Sequence, residues 1–510
     1  MNVTSDSKKS DGQIRNFYAG KHVFLTGCTG FYGSLILEKL LRTCTQIGNI
    51  YIMTREKKGF SVQERIDRFF KKEVFDTLRA MNPNFTEKVI LIYGDLCKPD
   101  LGLSTEDRQR LVNNVNIIIH NASVVYFEAK VSLILRTNVL GTQKMLELAA
   151  QCLNLNAFVY VSTAYSHHYT NPIEEKFYAP PCDLKMVEDI IRADEENAAG
   201  LSKEALNDII GKWLNQYAFS KAVAEGVVED FARRRSLPCL IYRPSIIINA
   251  IREPYRGWVD TRNGPYLLTL LVALGMFHLA PLRSDVISDY VPVDMATNGL
   301  LSAIWDYSVN RETNGPQVYN YASSDWNPFN MHDQSYTFFR AVDEHPLTKM
   351  IWYPFVLFIP NIYLFLLLHV FLHVFPAIIA DMVLMIQRKK PMALKLAYKA
   401  TKQVFILHYF ISTSWIIKTD KLKTVINRLN TTDEEEFLFD MKQLDWHDAT
   451  FAGIECLRYS INDTMDSLPY AKKRYRKLKI LHYITVTIIS MVVFFFLFKI
   501  ICSSLLLISQ

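Results

Sequence analysis

The chain has no paired cysteine spacing. Its eight cysteines are scattered and none forms a C-x-x-C. Neither a disulfide framework nor a metal site is expected, and free thiols in a reducing compartment are the default. An apolar stretch near the start is missing as well. Met1 to Lys9 is polar, so no secretory signal peptide is expected. A large charge of one sign is absent. A net charge of +6 over 510 residues is small and does not argue for nucleic acid, so no nucleic-acid partner is expected. No internal repeat is visible, and the chain does not end in Ser-Lys-Leu. What remains is a chain that is 50% hydrophobic and long enough for two or more domains, each with its own core.

Residues 20 to about 250 alternate short apolar runs with helical patterns. Val23–Leu25, Asn49–Met53, Val89–Tyr93, Asn116–Ile119, Ala157–Val161 and Cys239–Tyr242 read as strands. Regular βαβ alternation predicts an α/β fold, a doubly wound parallel sheet of Rossmann type with helices on both faces. Charged, less regular sequence from Lys176 to Asp208 reads as an insertion or a helical excursion. From Arg252 to about Asn327, Pro and Gly break the pattern, which suits loops and small helices. The expected division is a polar tail over 1–19, a dinucleotide-binding reductase domain over 20–335, a helical domain over 350–470 and an anchor over 480–498, extending at most to 508.

Thr26-Gly27-Cys28-Thr29-Gly30-Phe31-Tyr32-Gly33 lies between the first strand and a helical pattern from Leu35 to Leu41. Strand, glycine turn and helix in that order suit a dinucleotide pyrophosphate. Glycines let the backbone approach the phosphates, and the N–H groups opening the helix meet their charge. Thr26, Gly27, Thr29, Gly30, Phe31 and Gly33 are therefore candidate cofactor residues. After the second strand, Arg55 with Lys57 and Lys58 favours the 2′-phosphate of NADPH over the bare ribose of NADH. Asp95 and Leu96 follow the third strand and are placed to face the adenine. Asn121 and Ala122 follow the fourth, and Asn138 stands on the next helix.

Tyr217 and Lys221 are four residues apart and share one helix face. A tyrosine titrating near ~10 needs a neighbouring cation to act as an acid at neutral pH, and Lys221 supplies one. The same lysine can hold the nicotinamide ribose. A hydroxyl should complete the site by hydrogen-bonding the developing oxyanion. Thr163, at the end of the fifth strand, is preferred for that role, with Ser162 second. Tyr165 reads as packing.

The Gly-x-x-Gly-x-x-Gly turn with Tyr-x-x-x-Lys resembles the short-chain dehydrogenase/reductase superfamily in its extended form. Further segments resemble the alcohol-forming fatty acyl-CoA reductases, a family related to the male-sterility proteins. They are Phe17 to Lys21, Leu37 to Arg42, Val161 to Tyr165, Tyr242-Arg243-Pro244-Ser245, Gly257 to Asp260 with Asn263-Gly264-Pro265, and Val291 to Met295. Asp420-Lys421-Leu422, Phe437 with Asp440, and Asp445-Trp446 extend the likeness, which covers roughly residues 14 to 460. Met53-Thr54 and Tyr32 depart from the usual pattern. The layout looks like an insect member. The resemblance implies that a long-chain fatty acyl-CoA is reduced by NADPH to a bound aldehyde and then to a primary alcohol, with Tyr217 acting on the oxygen. An acyl channel would be sought in Gly264 to His278 and in Phe355 to Phe375. That second segment reads equally as a buried helix pair or as a hairpin dipping into a membrane.

Ile480 to Phe498 is nineteen residues without acid, Lys, Arg, Pro or Gly. As a helix it would cover about 28 Å, close to the ~30 Å hydrocarbon core. Six basic residues in Lys472 to Lys479 precede it and should stay cytosolic. A lipid membrane is thus an expected partner, peroxisomal or endoplasmic-reticulum, with the catalytic region in the cytosol. The sequons at Asn2, Asn84, Asn121, Asn430 and Asn462 are then chance matches. A homodimer is left open. Two other readings are a membrane-bound steroid or sugar-nucleotide dehydrogenase/epimerase of the same superfamily and a non-catalytic NADPH-binding scaffold. The first would leave the segment after residue 350 unexplained, and the second usually lacks the Tyr or the Lys.

Overall fold

The computed structural model describes residues 12–508 apart from 57, 58, 60, 127, 128, 261–264 and 311–314. Lys57, Lys58, Asn263, Gly264 and most of the expected N-terminal tail therefore lie outside the described residues. The chain divides into two compact units that interleave in sequence. One comprises 1–260, 289–329 and 415–445, the other 261–288, 330–414 and 446–510.

The first unit is built on a seven-stranded parallel sheet. Its strands are β1 Val23–Thr26, β2 Ile50–Thr54, β3 Val89–Tyr93, β4 Ile117–His120, β5 Ala157–Val161, β6 Cys239–Pro244 and β7 Gln317–Tyr321. Their spatial order is β3-β2-β1-β4-β5-β6-β7, with Val23 level with both Ile50 and Ile117. Every residue of β1, β4, β5 and β6 is buried, as expected when helices cover both faces. The strand order reverses between β1 and β4. In such sheets a ligand crevice opens there, beyond the carboxyl ends of the strands.

Three helices shape that crevice. α1 (Phe31–Thr43) follows the glycine turn. α2 (131–149) carries a π turn over Arg136–Leu140, and α3 is Gln216–Arg235. Below α1, Lys39 donates to Glu253 at 2.6 Å and to the Glu436 carbonyl at 2.5 Å, while Arg42 bridges Glu38 and Glu253. This network ties α1 to the segments holding Glu253 and Glu436.

The expectation of loops and small helices over 252–327 needs correction. Val293–Val309 is a seventeen-residue helix, buried continuously from Val293 to Tyr307, and β7 follows it. Pro292 marks the helix start rather than a break, because it stands at the N-cap where no intrahelical N–H is needed. Gly299 is a contact glycine, since a Cβ there would lie 2.8 Å from the Tyr242 hydroxyl.

The second unit is helical. Its labelled helices are α4 Pro265–Ala273, α5 Ile362–Ile386, which includes a π turn over Val370–Val374, α6 Ala393–Ser412 and α7 Leu468–Ile508. Leu267, Leu271, Phe277, Leu279, Phe365 and Val404 form one of its cores. α7 contains the expected anchor, and none of its most apolar stretch is buried. A terminal helix packed in the protein interior would be buried there. α5 is also long and apolar enough to cross a membrane, with only 22% of its apolar window buried.

Candidate functional site

The glycine turn closes against the end of β4. Gly27 has φ +73°, and a Cβ there would sit 2.7 Å from the Ala122 nitrogen. A Cβ on Gly33 would lie 2.2 Å from the Gly27 carbonyl oxygen. Both positions need glycine so that turn and helix can touch. α1 begins at Phe31 with Gly30 as its N-cap and no side-chain cap, which leaves its first N–H groups facing the crevice. Thr29 is half-buried beside them, and the Phe31 ring rests 5.2 Å from that of Trp258. Tyr32 donates to the Ala296 carbonyl at 2.9 Å, as does Tyr242.

Thr26 is wholly buried and structural. Its hydroxyl lies 2.8 Å from His120 Nδ1 and accepts from the Ala122 N–H at 3.1 Å. His120 Nε2 lies 3.1 Å from Thr142 Oγ1, which itself donates to the Asn138 carbonyl. That donation fixes the tautomer: Nε2 carries the proton and Nδ1 accepts from Thr26. Burial, assisted by the Lys221 charge, holds the His120 imidazolium pKa down to about 3, so the ring is neutral. Asn121 Nδ2 reaches the Gly27 carbonyl at 3.5 Å.

Arg55 and Asp95 meet each other. Arg55 Nη1 is 3.1 Å from Asp95 Oδ2, with the Arg55 side chain 60% exposed. Burial raises the Asp95 pKa, but the Cys97 N–H and the Arg55 guanidinium outweigh it and hold the carboxyl below its ordinary range. Leu96 is packed in the core, against Gly141 of α2. Asn138 is buried, with its amide engaged by Val124 N–H and C=O and by Ser220. It clamps the loop after β4 to α3.

α3 is capped by Asn215, whose side chain accepts from the Ala218 N–H at 2.8 Å. Tyr217 is half-buried on its first turn and Lys221 is 2% exposed. Lys221 Nζ donates to the Val161 carbonyl at 2.6 Å, which brings it to the carboxyl end of β5. It also lies 4.6 Å from the centroid of Tyr160 and 5.9 Å from that of Tyr217. Burial raises the Tyr217 phenol above its ordinary value and pulls Lys221 down to about 7, with Glu225 opposing the latter. Tyr217 is thus held protonated, the state a proton donor requires.

The two hydroxyls after β5 differ. Ser162 Oγ donates to Glu225 Oε1 at 2.5 Å, whereas Thr163 Oγ1 accepts the Tyr165 N–H at 3.3 Å at the start of a 3-10 turn. Ser162 is committed to a buried cluster that sequence reasoning missed. Glu225, one turn beyond Lys221, also accepts from Ser166 at 2.9 Å and from Arg243 at 2.9 and 2.5 Å, with His167 Nε2 at 2.9 Å. Although burial opposes ionisation, Arg243 and His167 hold the Glu225 carboxylate ionised. The available signal was a third polar residue at the same four-residue spacing, Tyr217, Lys221, Glu225.

The residues fit a dinucleotide. Beyond the glycine cradle, the buried hydroxyls of Thr54, ending β2, and Ser123, following β4, have no hydrogen-bond partner among the described residues. Among these residues no cluster suited to a metal ion occurs.

Two family profiles, each described as male sterility protein, match residues 25–300 and 372–459. The chain is 35% identical over 490 residues to fatty acyl-CoA reductase wat of Drosophila melanogaster, covering 94% of this chain and 92% of that protein. It belongs to the fatty acyl-CoA reductase family. Fatty acyl-CoA reductase 1 of Homo sapiens is 35% identical over 476 residues, covering 92% and 90%. Fly and vertebrate relatives are thus equally similar and do not single out insects. This membership, with the Rossmann sheet, makes the chain an NAD(P)H-dependent oxidoreductase. The terminal R domain of the myxalamid PKS-NRPS pathway superposes with a TM-score of 0.58 at 22% identity, covering 87% of this chain and 91% of that one, and shares the fold.

Proposed function

We propose that this reductase converts a long-chain fatty acyl-CoA to a primary alcohol with NADPH. Per substrate, two NADPH and two protons are consumed, and free CoA and two NADP are released. The observation that carries the reading is Lys221 held 2.6 Å from the Val161 carbonyl, beside Thr163 and one turn from Tyr217. When bound, NADPH supplies hydride to the carbonyl carbon of the thioester and then to that of the aldehyde. In this reading Tyr217 gives its proton to the oxygen and Thr163 orients that oxygen by hydrogen bonding. Lys221 holds the ribose and favours the charge that develops on Tyr217. Loss of CoA thiolate from the hemithioacetal yields the aldehyde, which stays bound for the second reduction. Thr29, Gly30, Phe31 and Gly33 cradle the pyrophosphate, Asn121 and Ala122 border it, and Arg55 takes the 2′-phosphate.

The division of labour we propose assigns cofactor and chemistry to residues 20–335 and acyl handling to 350–470. Residues 480–498 serve as the anchor. Lys472 to Lys479 keep the catalytic region cytosolic on a peroxisomal or endoplasmic-reticulum membrane. Incubating the full chain with NADPH and palmitoyl-CoA tests the chemistry. Free thiol and hexadecanol are expected at one to one. Oxidation of NADPH only with a steroid or a sugar nucleotide would refute it. A tag at Met1 should be protease-accessible in intact organelles, and a glycan at Asn84, Asn121 or Asn430 would refute the orientation.

A further inference from the structure

α5 is built inside out by the standards of a water-soluble helix. Its inward stripe is Phe365, His369, His373 and Ala377, all buried. The two histidines hydrogen-bond each other at 2.9 Å through Nδ1. His369 Nε2 meets Thr401 of α6 at 3.0 Å, and His373 Nε2 accepts the His278 N–H at 2.9 Å. Its outward stripe is Leu367, Phe371, Phe375, Ile379, Met382 and Ile386, with Phe371 63% and Ile386 81% exposed. Helices facing water put polar groups outward, and helices facing lipid put them inward, paired.

The turn after α5 adds charge. Arg388, Lys389 and Lys390 occupy it, Lys395, Lys399 and Lys402 follow on α6, and no acid occurs from 382 to 419. The one acid nearby, Asp381, is spent closing the hairpin, accepting the N–H groups of Met392, Ala393 and Leu394 at 2.7–3.0 Å. The place where α7 begins its apolar run is joined to this helix through rings. His482 lies 4.9 Å from Phe355, and Phe355 stacks at 4.1 Å on His278, the residue bonded to His373. The outward face of α5 therefore belongs at the level where the anchor enters a bilayer.

We propose that the α5–α6 hairpin is a second membrane contact, lying in the plane of an anionic lipid surface with its apolar stripe in the acyl boundary and Arg388 to Lys390 among the headgroups. A complete crossing would drag that basic turn through hydrocarbon, which is costly, whereas an in-plane helix keeps it at the interface. The proposal rests on the reading of α7 as an anchor but not on the reductase chemistry.

The test uses the full chain in phosphatidylcholine vesicles with and without phosphatidylserine, and a photo-crosslinking benzoylphenylalanine at Phe371, Met382, Phe495 or Leu153. Lipid adducts are expected at Phe371, Met382 and the anchor position Phe495, and none at Leu153, which is exposed in the first unit. Replacing Arg388, Lys389 and Lys390 together by Gln should lower the Met382 yield several-fold with phosphatidylserine and little without it. Adducts at Phe495 but not at Phe371 or Met382 would overturn the proposal alone. Adducts at none of the three would overturn the anchor reading with it. Adducts joining Phe371 to a second copy of the chain would replace the lipid by a protein interface. Equal yields from parent and Gln variant in both vesicle types would overturn the headgroup contact.

Discussion

Replacing Lys221 by methionine should make the protein more stable and inactive. The Lys221 pKa falls from 10.5 to about 7, chiefly through burial, with Glu225 opposing. A displacement of one pH unit corresponds to about 1.4 kcal/mol, so at pH 7 an enclosed Lys221 disfavours the folded state by up to about 5 kcal/mol. The folded pKa lies below the unfolded one. The unfolded chain therefore holds more protons between pH 7 and pH 10.5, and stability rises with pH across that window. Below pH 7 the penalty is complete, and above pH 10.5 it is gone. Methionine removes the titration but leaves the Val161 carbonyl without its donor, a loss of about 1–3 kcal/mol. Lys221→Met should exceed the parent by about 2–4 kcal/mol at pH 7. The margin should shrink by about 1.4 kcal/mol per pH unit and be near zero by about pH 9.5. Urea unfolding of both proteins in the same detergent at these two pH values reads the margin directly. A margin that does not change with pH, or a variant weaker than the parent at pH 7, would refute the reasoning.

Four further outcomes are expected. Tyr217→Phe keeps the ring and removes the proton, so turnover should fall by about 10²-fold or more with NADPH affinity by fluorescence titration nearly unchanged. Arg55→Ala should raise the KM for NADPH by about 10- to 100-fold and that for NADH little. Asp95→Asn, which frees the Arg55 guanidinium from its 3.1 Å partner, should lower the KM for NADPH. Gly33→Ala forces a Cβ to 2.2 Å from the Gly27 carbonyl, so cofactor binding should be abolished while circular dichroism still reports a folded chain.

The sheet was legible because its first six strands are short apolar runs between turn signals, and six begin within a residue of the expected position. β7 was not, because Gln317, Tyr319 and Asn320 give it a polar look. Asn320 is buried only because its amide donates to the Ile173 and Lys418 carbonyls, partners far away in sequence. The helix Val293–Val309 was hidden by Pro292 and Gly299, whose reasons lie in packing. At the site, the glycine turn and the Tyr217/Lys221 pair follow from spacing. The commitment of Ser162 does not, since Glu225, His167 and Arg243 converge only in three dimensions. The pairing of Arg55 with Asp95 was equally invisible, since each sits at the end of a separate strand.

The relay from Thr26 through His120 and Thr142 to the Asn138 carbonyl has a single allowed arrangement of its three protons. Because burial and the Lys221 charge keep His120 neutral, that arrangement persists at neutral pH. The ring proton on Nε2 is sealed from solvent between β1 and α2. It should give a slowly exchanging imidazole resonance, a native spectroscopic reporter beneath the cofactor cradle that needs no label.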